Sequence, residues 1–314
     1  MNLLEILRCP ACGSQLTAEG ELLRSACGRT YPVVGGIPRF VPADNYASNF
    51  GLQWNRFRRT QLDSYSGVPI SRDRFLRETG WTKADLEGKL VLDAGCGAGR
   101  FAEVALSLGA HVVAIDYSSA VDACYANNGP HERLQVVQAD IYSLPFAPAT
   151  FDYVYSLGVL QHTPDVRRAF DSLVPLVMPQ GRIVVDLYGQ HWGNFIRPKY
   201  WLRPITKRMP ATKLFSLVER ATPSLLKVSG AVRRIPRLGR YLGFFVPVAD
   251  YRGSLPLSDQ QAREWAVLDT FDWLSPRYDQ PQTAATLRRW LEEAGLAEIE
   301  VLSLDHLTGR GRKV

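Results

Sequence analysis

The chain has 314 residues, 46% of them apolar, which is room for one large domain with additions and a substantial core. No apolar run approaches the roughly 18 residues of a membrane span, and the start Met1-Asn2-Leu3-Leu4-Glu5 reads as no signal peptide. The five cysteines form an odd set rather than a disulfide framework, so a cytoplasmic protein is expected, and the net charge of +6 is concentrated between Gln190 and Leu255, where thirteen Lys or Arg face two acids, Glu219 and Asp250.

Residues 1–43 read as a small ribbon module. Cys9-Pro10-Ala11-Cys12 is one half of a zinc knuckle, and Cys27-Gly28-Arg29-Thr30-Tyr31 follows with a turn at Gly35-Gly36-Ile37-Pro38. The pattern resembles the zinc-ribbon domains of the tRNA-methyltransferase activator family, which implies a second C-x-x-C. Arg24 stands where the first cysteine of that pair belongs. Structural zinc takes four N or S ligands, so Cys9, Cys12 and Cys27 are an incomplete set. The expectation is a ribbon without metal, held by its small core and its Gly/Pro turns. Three thiolates plus a water is the alternative.

Residues 44–88 are a linker with content. Tyr46, Phe50, Gly51, Gln53, Trp54, Asn55 and Phe57 crowd together, as in an amphipathic helix packed on a sheet edge.

From residue 89 to 189, strands and helices alternate as in a parallel doubly wound sheet. Val91-Leu92-Asp93-Ala94-Gly95-Cys96-Gly97-Ala98-Gly99-Arg100 carries the most information. An apolar run ends in an acid, and glycines then alternate with small residues before a helix over Gly99–Leu108. Glycines allow the sharp strand-to-helix turn and the close approach of a ligand, and the helix N-terminus presents free N–H groups beside it. The spacing is G-x-G-x-G, not the dinucleotide G-x-G-x-x-G. A carboxylate before it suits an ammonium rather than a pyrophosphate, so the ligand expected is a nucleoside with a cationic amino-acid tail. His111–Asp116 reads as the second strand, its terminal acid placed about 20 residues after the glycines, as a ribose acceptor would be. A helix over Ser118–Asn127, a third strand over Leu134–Asp140, a fourth over Phe151–Ser156, a helix over Pro164–Val177 and a fifth strand over Gly181–Tyr188 follow.

These pieces, in this order, resemble the class I S-adenosylmethionine-dependent methyltransferases of the small-molecule, type 11-like branch. The resemblance implies an α/β fold with a doubly wound, seven-stranded Rossmann-like sheet, its last strand antiparallel. It implies S-adenosylmethionine as cofactor, held by Asp93, Ala94, Gly95, Cys96, Gly97, Gly99, Arg100, Asp116, Tyr117, Asp140, Ile141 and Leu157. It also implies that the segment before the glycine turn folds over the cofactor, which makes Tyr46, Gln53 and Trp54 lid candidates. Leu157–Asp165 lacks the Asn/Asp-Pro-Pro-aromatic motif of base-amino methyltransferases.

The segment 190–279 is far longer than an ordinary connection and must carry structure of its own. Phe215–Val218, Leu225-Leu226 and Val232 read as helices with apolar faces, and Arg233–Tyr241 interleaves cations with apolar residues. The expectation is a basic helical lid. Residues 280–314 complete the sheet, with an amphipathic helix over Thr283–Ala294 stopped by Gly295, a strand over Glu298–Leu302 and a short closing strand.

Ligands of open α/β sheets bind beyond the carboxyl ends of the strands. That places His162, Asp186, Tyr188 and His191 near the methyl acceptor, with His162 as the candidate general base. The function expected is methyl transfer to an O, N or C nucleophile of a small-molecule or lipid-linked metabolite. The basic insertion adds peripheral contact at the inner membrane surface. An RNA methyltransferase is the alternative, and a non-catalytic S-adenosylmethionine-binding scaffold or partner subunit is the second.

Overall fold

The computed structural model describes residues 2–42, 45–190 and 198–314, apart from the side chain of Arg240. A helical turn α1 (Leu3–Ile6) leads into an antiparallel ribbon of β1 (Leu16–Glu19), β2 (Leu22–Ser25), β3 (Thr30–Val34) and β4 (Ile37–Pro38). Its inward residues Leu16, Leu23 and Tyr31 do not form a core of their own. They join one apolar cluster with Val137, Phe146 and Phe151 of the large sheet. Backbone bonds fasten the two together: Arg8 N donates to Pro145 O (2.9 Å) and Phe40 N to Gln138 O (2.8 Å).

Helices α2 (Ser48–Arg56), α3 (Asp63–Ser66), α4 (Ile70–Thr79) and α5 (Lys83–Leu86) precede the main sheet. There β5 (Leu90–Ala94), α6 (Arg100–Ser107), β6 (His111–Asp116), α7 (Ala120–Asn128), β7 (Leu134–Gln138), β8 (Phe151–Ser156), α8 (Val166–Leu173) and β9 (Val177–Leu187) alternate. The strands read as nearly continuous apolar runs because helices cover both faces. The insertion is helical: α9 (Pro198–Thr206), α10 (Ala211–Arg233), α11 (Gly239–Gly243) and α12 (Asp259–Leu274). The chain closes with α13 (Ala284–Glu293), β10 (Leu296–Ser303) and β11 (Leu307–Lys313).

The seven strands lie in the order β10-β11-β9-β8-β5-β6-β7, and β11 alone runs against its neighbours. This is the expected doubly wound sheet with its last strand antiparallel. Strand order reverses between β5 and β8, so the crevice beyond their carboxyl ends is the natural ligand position.

Two elements differ from their sequence reading. The helix expected to run from Pro164 to Val177 ends at Leu173, because Pro175 lacks the N–H that would continue the ladder, and a 3₁₀ turn bridges to β9. The separate helices read around Phe215, Leu225 and Val232 are one, α10, of 23 residues; it runs through an exposed Pro223. Leu214, Phe215 and Val218 of α10 pack on Phe271 and Leu274 of α12, with Leu52 and Phe57 of the α2 region against the same cluster. The insertion and the segment before the sheet thus form one roof.

Candidate active site

β5 runs into the glycine turn with Gly95 and Gly97 at positive φ, and Gly95 N and Cys96 N both donate to Ile115 O (2.8 Å). A Cβ on Gly95 would lie 2.4 Å from Val159, and one on Gly97 3.2 Å from the Trp54 ring. Only glycine leaves this wall open. A cavity of about 460 Å³ begins here, lined by Gly95, Cys96, Gly97, Asp116 and Tyr117 on one side and by Ile141 and Leu157 on the other.

The Asp116 carboxylate sits at the end of β6 and accepts from Ser118 N (2.8 Å), Ser118 Oγ (2.7 Å) and Gly97 N (3.0 Å). Burial pushes its pKa up, and these bonds oppose the shift. A carboxylate offers about four acceptor positions, so one on Oδ2 is left for a hydroxyl entering the cavity. A glycine-walled cradle, an acceptor for a diol and an apolar slot between Ile141 and Leu157 fit a nucleoside with an amino-acid tail. The S-adenosylmethionine expected from the sequence therefore fits the residues present.

Not every expected residue reaches that wall. Asp93, Ala94, Gly99 and Asp140 lie off the cavity, whereas Arg100 lines it. Asp93 is buried behind the turn, and its Oδ2 has no hydrogen-bond partner among the described residues; burial pushes its carboxyl up to about 8. Asp140 turns back to accept from Tyr142 N (2.9 Å). Gly99 caps α6 at positive φ, packed under Asn128 and Cys124. Of the lid candidates, Tyr46 stacks near Tyr117 (4.9 Å between rings) and, with Trp54, lines the cavity. Gln53 does not; it is fully buried and donates to Asp272 (3.1 Å).

The same cavity also carries a set of polar side chains. His162, Tyr188, Tyr251, Asp269, Asp272, His306 and Arg74 line it. The Tyr188 ring stands edge-on to His162 and tilted to His306, 5.4 Å from each. The two imidazoles have different partners. His162 Nδ1 lies 3.0 Å from Tyr278 O, and a carbonyl only accepts, so Nδ1 carries the proton and Nε2 keeps a lone pair. His306 Nδ1 lies 2.8 Å from the Arg74 guanidinium, which donates, and 3.3 Å from the Asp186 carboxylate, which accepts.

Asp186, read as an acceptor-site candidate, is fully buried beneath this chamber and does not line it. It accepts from Arg74 (2.5 Å) and from Gly158 N, and lies 3.3 Å from His306 Nδ1. Although burial opposes it, Arg74 holds Asp186 well below the usual carboxylate range, while burial and Asp186 push the neighbouring Glu78 up. Asp186 therefore positions Arg74 and His306. His191 lies outside the described residues.

The chamber residues that sequence reading missed are Arg74, Tyr251, Asp269, Asp272 and His306. Asp269 accepts from Tyr251 Oη and Gln61 Nε2, and burial pushes it up to about 7. One local signal existed: Asp269 and Asp272 stand three residues apart within Leu268-Asp269-Thr270-Phe271-Asp272-Trp273-Leu274, and acids on an apolar helix face are costly unless used.

In the ribbon, the sulfurs of Cys9, Cys12 and Cys27 lie within 4.8 Å of one another, Cys9 and Cys27 3.8 Å apart. Burial would raise the Cys9 thiol, but hydrogen bonds from Tyr31 and the backbone pull it down to about 6. Arg24 points away and pairs with Glu19 (2.8 Å). Among the described residues the cluster has no fourth Cys, His or carboxylate, so the donor set does not complete a closed zinc site.

Residues 92–185 match the family model of the methyltransferase domain, and residues 2–36 that of the Trm112p-like protein. The O-methyltransferase rstn1 of Aspergillus nomiae is 28% identical over 127 residues, covering 38% of this chain and 56% of that protein. The ubiquinone biosynthesis O-methyltransferase of Xylella fastidiosa is 35% identical over 117 residues, covering 36% and 48%. The matches thus span about half the length of these relatives. Among solved structures, the magnesium protoporphyrin IX methyltransferase of Synechocystis with bound SAH covers 86% of this chain and 97% of that one at 17% identity, with a TM-score of 0.47. This chain carries a methyltransferase domain behind an N-terminal Trm112p-like domain.

Proposed function

We propose that the protein transfers a methyl group from S-adenosylmethionine to a hydroxyl of a small-molecule or lipid-linked acceptor. One observation carries the reading: a single cavity joins the glycine turn and Asp116 to His162, Tyr188, Asp269 and His306. The two relatives described above, both O-methyltransferases by name, support a hydroxyl acceptor.

Bound at the glycine turn, S-adenosylmethionine supplies a methyl already activated by its sulfonium leaving group. The protein is left to align the acceptor, exclude water and remove a proton. Asp116 holds the ribose, and Tyr46 and Trp54 close over the nucleoside. His162 Nε2 takes the hydroxyl proton while Nδ1–H stays on the Tyr278 carbonyl, which steadies the imidazolium.

The test is incubation of the purified protein and S-adenosylmethionine with fractionated metabolite and lipid extracts, with mass spectrometry seeking a species that gains one methyl group. His162→Ala should lower kcat by about 10²–10⁴ and leave S-adenosylhomocysteine affinity unchanged. Calorimetry showing no S-adenosylhomocysteine binding by folded wild type would end this reading.

A further inference from the structure

A second cavity, of about 580 Å³, lies within the insertion. Phe244, Val246, Pro247, Val248 and Leu274 make an apolar wall, Lys199, Arg233 and Asp250 also line it, and it shares Tyr251 and Trp273 with the methyl-transfer chamber. Phe244 is 39% exposed, so the slot reaches the outer surface.

Around that surface lies an apolar face. Leu238, Leu242 and Phe245 follow at helical spacing with 58%, 43% and 47% of their surfaces in solvent. The Phe245 ring lies 6.5 Å from that of Trp201 on α9, and Ile205, one turn further along α9, is 69% exposed. The two helices thus present one patch. Lys207, Arg208, Arg234 and Arg237 flank it, all exposed and with no acidic partner among the described residues. A solvated cationic surface has no need of this many large apolar side chains in water, and phosphate recognition does not use them. An anionic lipid interface uses both, with cations at the headgroups and apolar groups below them.

We infer that this face docks on an anionic bilayer, and that the slot accommodates the apolar tail of an acceptor dissolved in it. This rests on the methyltransferase reading and narrows it: the reacting hydroxyl belongs to a headgroup in the Tyr188 chamber, with its chain passing Trp273 and Tyr251.

Co-sedimentation with phosphatidylglycerol vesicles tests the docking. Wild type should pellet with them, release as salt rises, and ignore pure phosphatidylcholine vesicles. Leu238→Ser/Leu242→Ser/Phe245→Ser should lose binding, and so should the exposed charge reversal Arg234→Glu/Arg237→Glu, each with unchanged circular dichroism. Undiminished pelleting of either folded variant, or none by wild type, would overturn the docking. RNA retained by the triple variant with no vesicle binding by wild type would give the surface to nucleic acid instead. The slot is read with cis-parinaric acid, a fluorescent long-chain probe: Phe244→Arg should weaken its binding about tenfold or more, and equal binding would remove the tail slot. S-adenosylhomocysteine calorimetry on the same preparations separates the readings. Intact nucleoside binding without vesicle binding refutes only the docking, whereas vesicle binding without nucleoside binding refutes the methyltransferase.

Discussion

Asp116 and Asp93 share a residue type and a position at a strand's end, and the structure gives them different work. Asp116 faces the cavity with an acceptor position to spare. Asp116→Ala should weaken S-adenosylhomocysteine binding by about 1.5–3 kcal/mol, the scale of a charge-assisted hydrogen bond, as read by calorimetry. Asp93 faces the interior, where burial lifts its carboxyl from 3.8 to about 8. A carboxyl so raised holds its proton more tightly folded than unfolded, so its contribution to stability falls as pH climbs across that interval. The thermal midpoint of wild type should therefore drop between pH 5 and pH 9 more steeply than that of Asp93→Asn, which mimics the protonated acid; parallel curves would show that Asp93 is not the titrating group. The sequence reading gave both acids to the cofactor. Both side chains lie on one face of the sheet, since Asp93 pairs with Ala114, two residues before Asp116; Asp116 stands further toward the carboxyl edge, and that offset depends on a register no isolated segment reveals.

Among the elements, the roof matters most. α2 contributes Trp54 to the cavity and Gln53 to Asp272, and α12 contributes Asp269 and Asp272. The cluster of Leu214, Phe215 and Val218 with Phe271 and Leu274 holds these helices over the chamber. It is separate from the clusters of the main sheet, so the roof can loosen while the sheet stays folded. Leu214→Ala, at a fully buried position, should cost about 2–5 kcal/mol of local stability. Limited proteolysis should then cut within 198–258 faster than in wild type, with cofactor-domain fragments surviving; uniform digestion would mean that roof and sheet unfold together. The amphipathic segment at 46–57 was legible as a helix from its aromatic spacing. Its partner surface was not, because that surface is assembled from Tyr117 and Ser119 after β6 and from α10 and α12 far along the chain.

For the whole molecule, the ribbon is the element whose place the sequence least foretold. It reads as a separate module, yet its Leu16, Leu23 and Tyr31 complete the same apolar cluster as Phe146 and Phe151. The chain leaving it runs beside the edge strand β7, where Arg39 pairs with Asp122 (2.5 Å) and Gln138 (3.0 Å). An uncovered edge strand next to exposed phenylalanines invites association with other chains. Removal of residues 2–41 should therefore lower the thermal midpoint and produce aggregates in size-exclusion chromatography. A truncated chain that stays monomeric with the wild-type midpoint would show the docking to be dispensable.

The sequence by itself determined the doubly wound sheet, the glycine turn, Asp116 and the one-short cysteine set. Each depends on residues close together along the chain: apolar runs of strand length, glycines where the backbone must turn under a ligand, an acid at the next strand's end. His162 was legible for the same reason, since it follows directly from the end of a core strand. Tertiary structure alone decided that Asp93 turns inward, that Asp186 braces Arg74 and His306, and that Asp269, Asp272, Tyr251 and His306 meet Tyr188 in one chamber. The bonds of Arg74 to Asp186 and His306 span 112 and 232 residues of chain. Their geometry follows from how the helical insertion and the last hairpin pack on the sheet, and no local pattern encodes that packing.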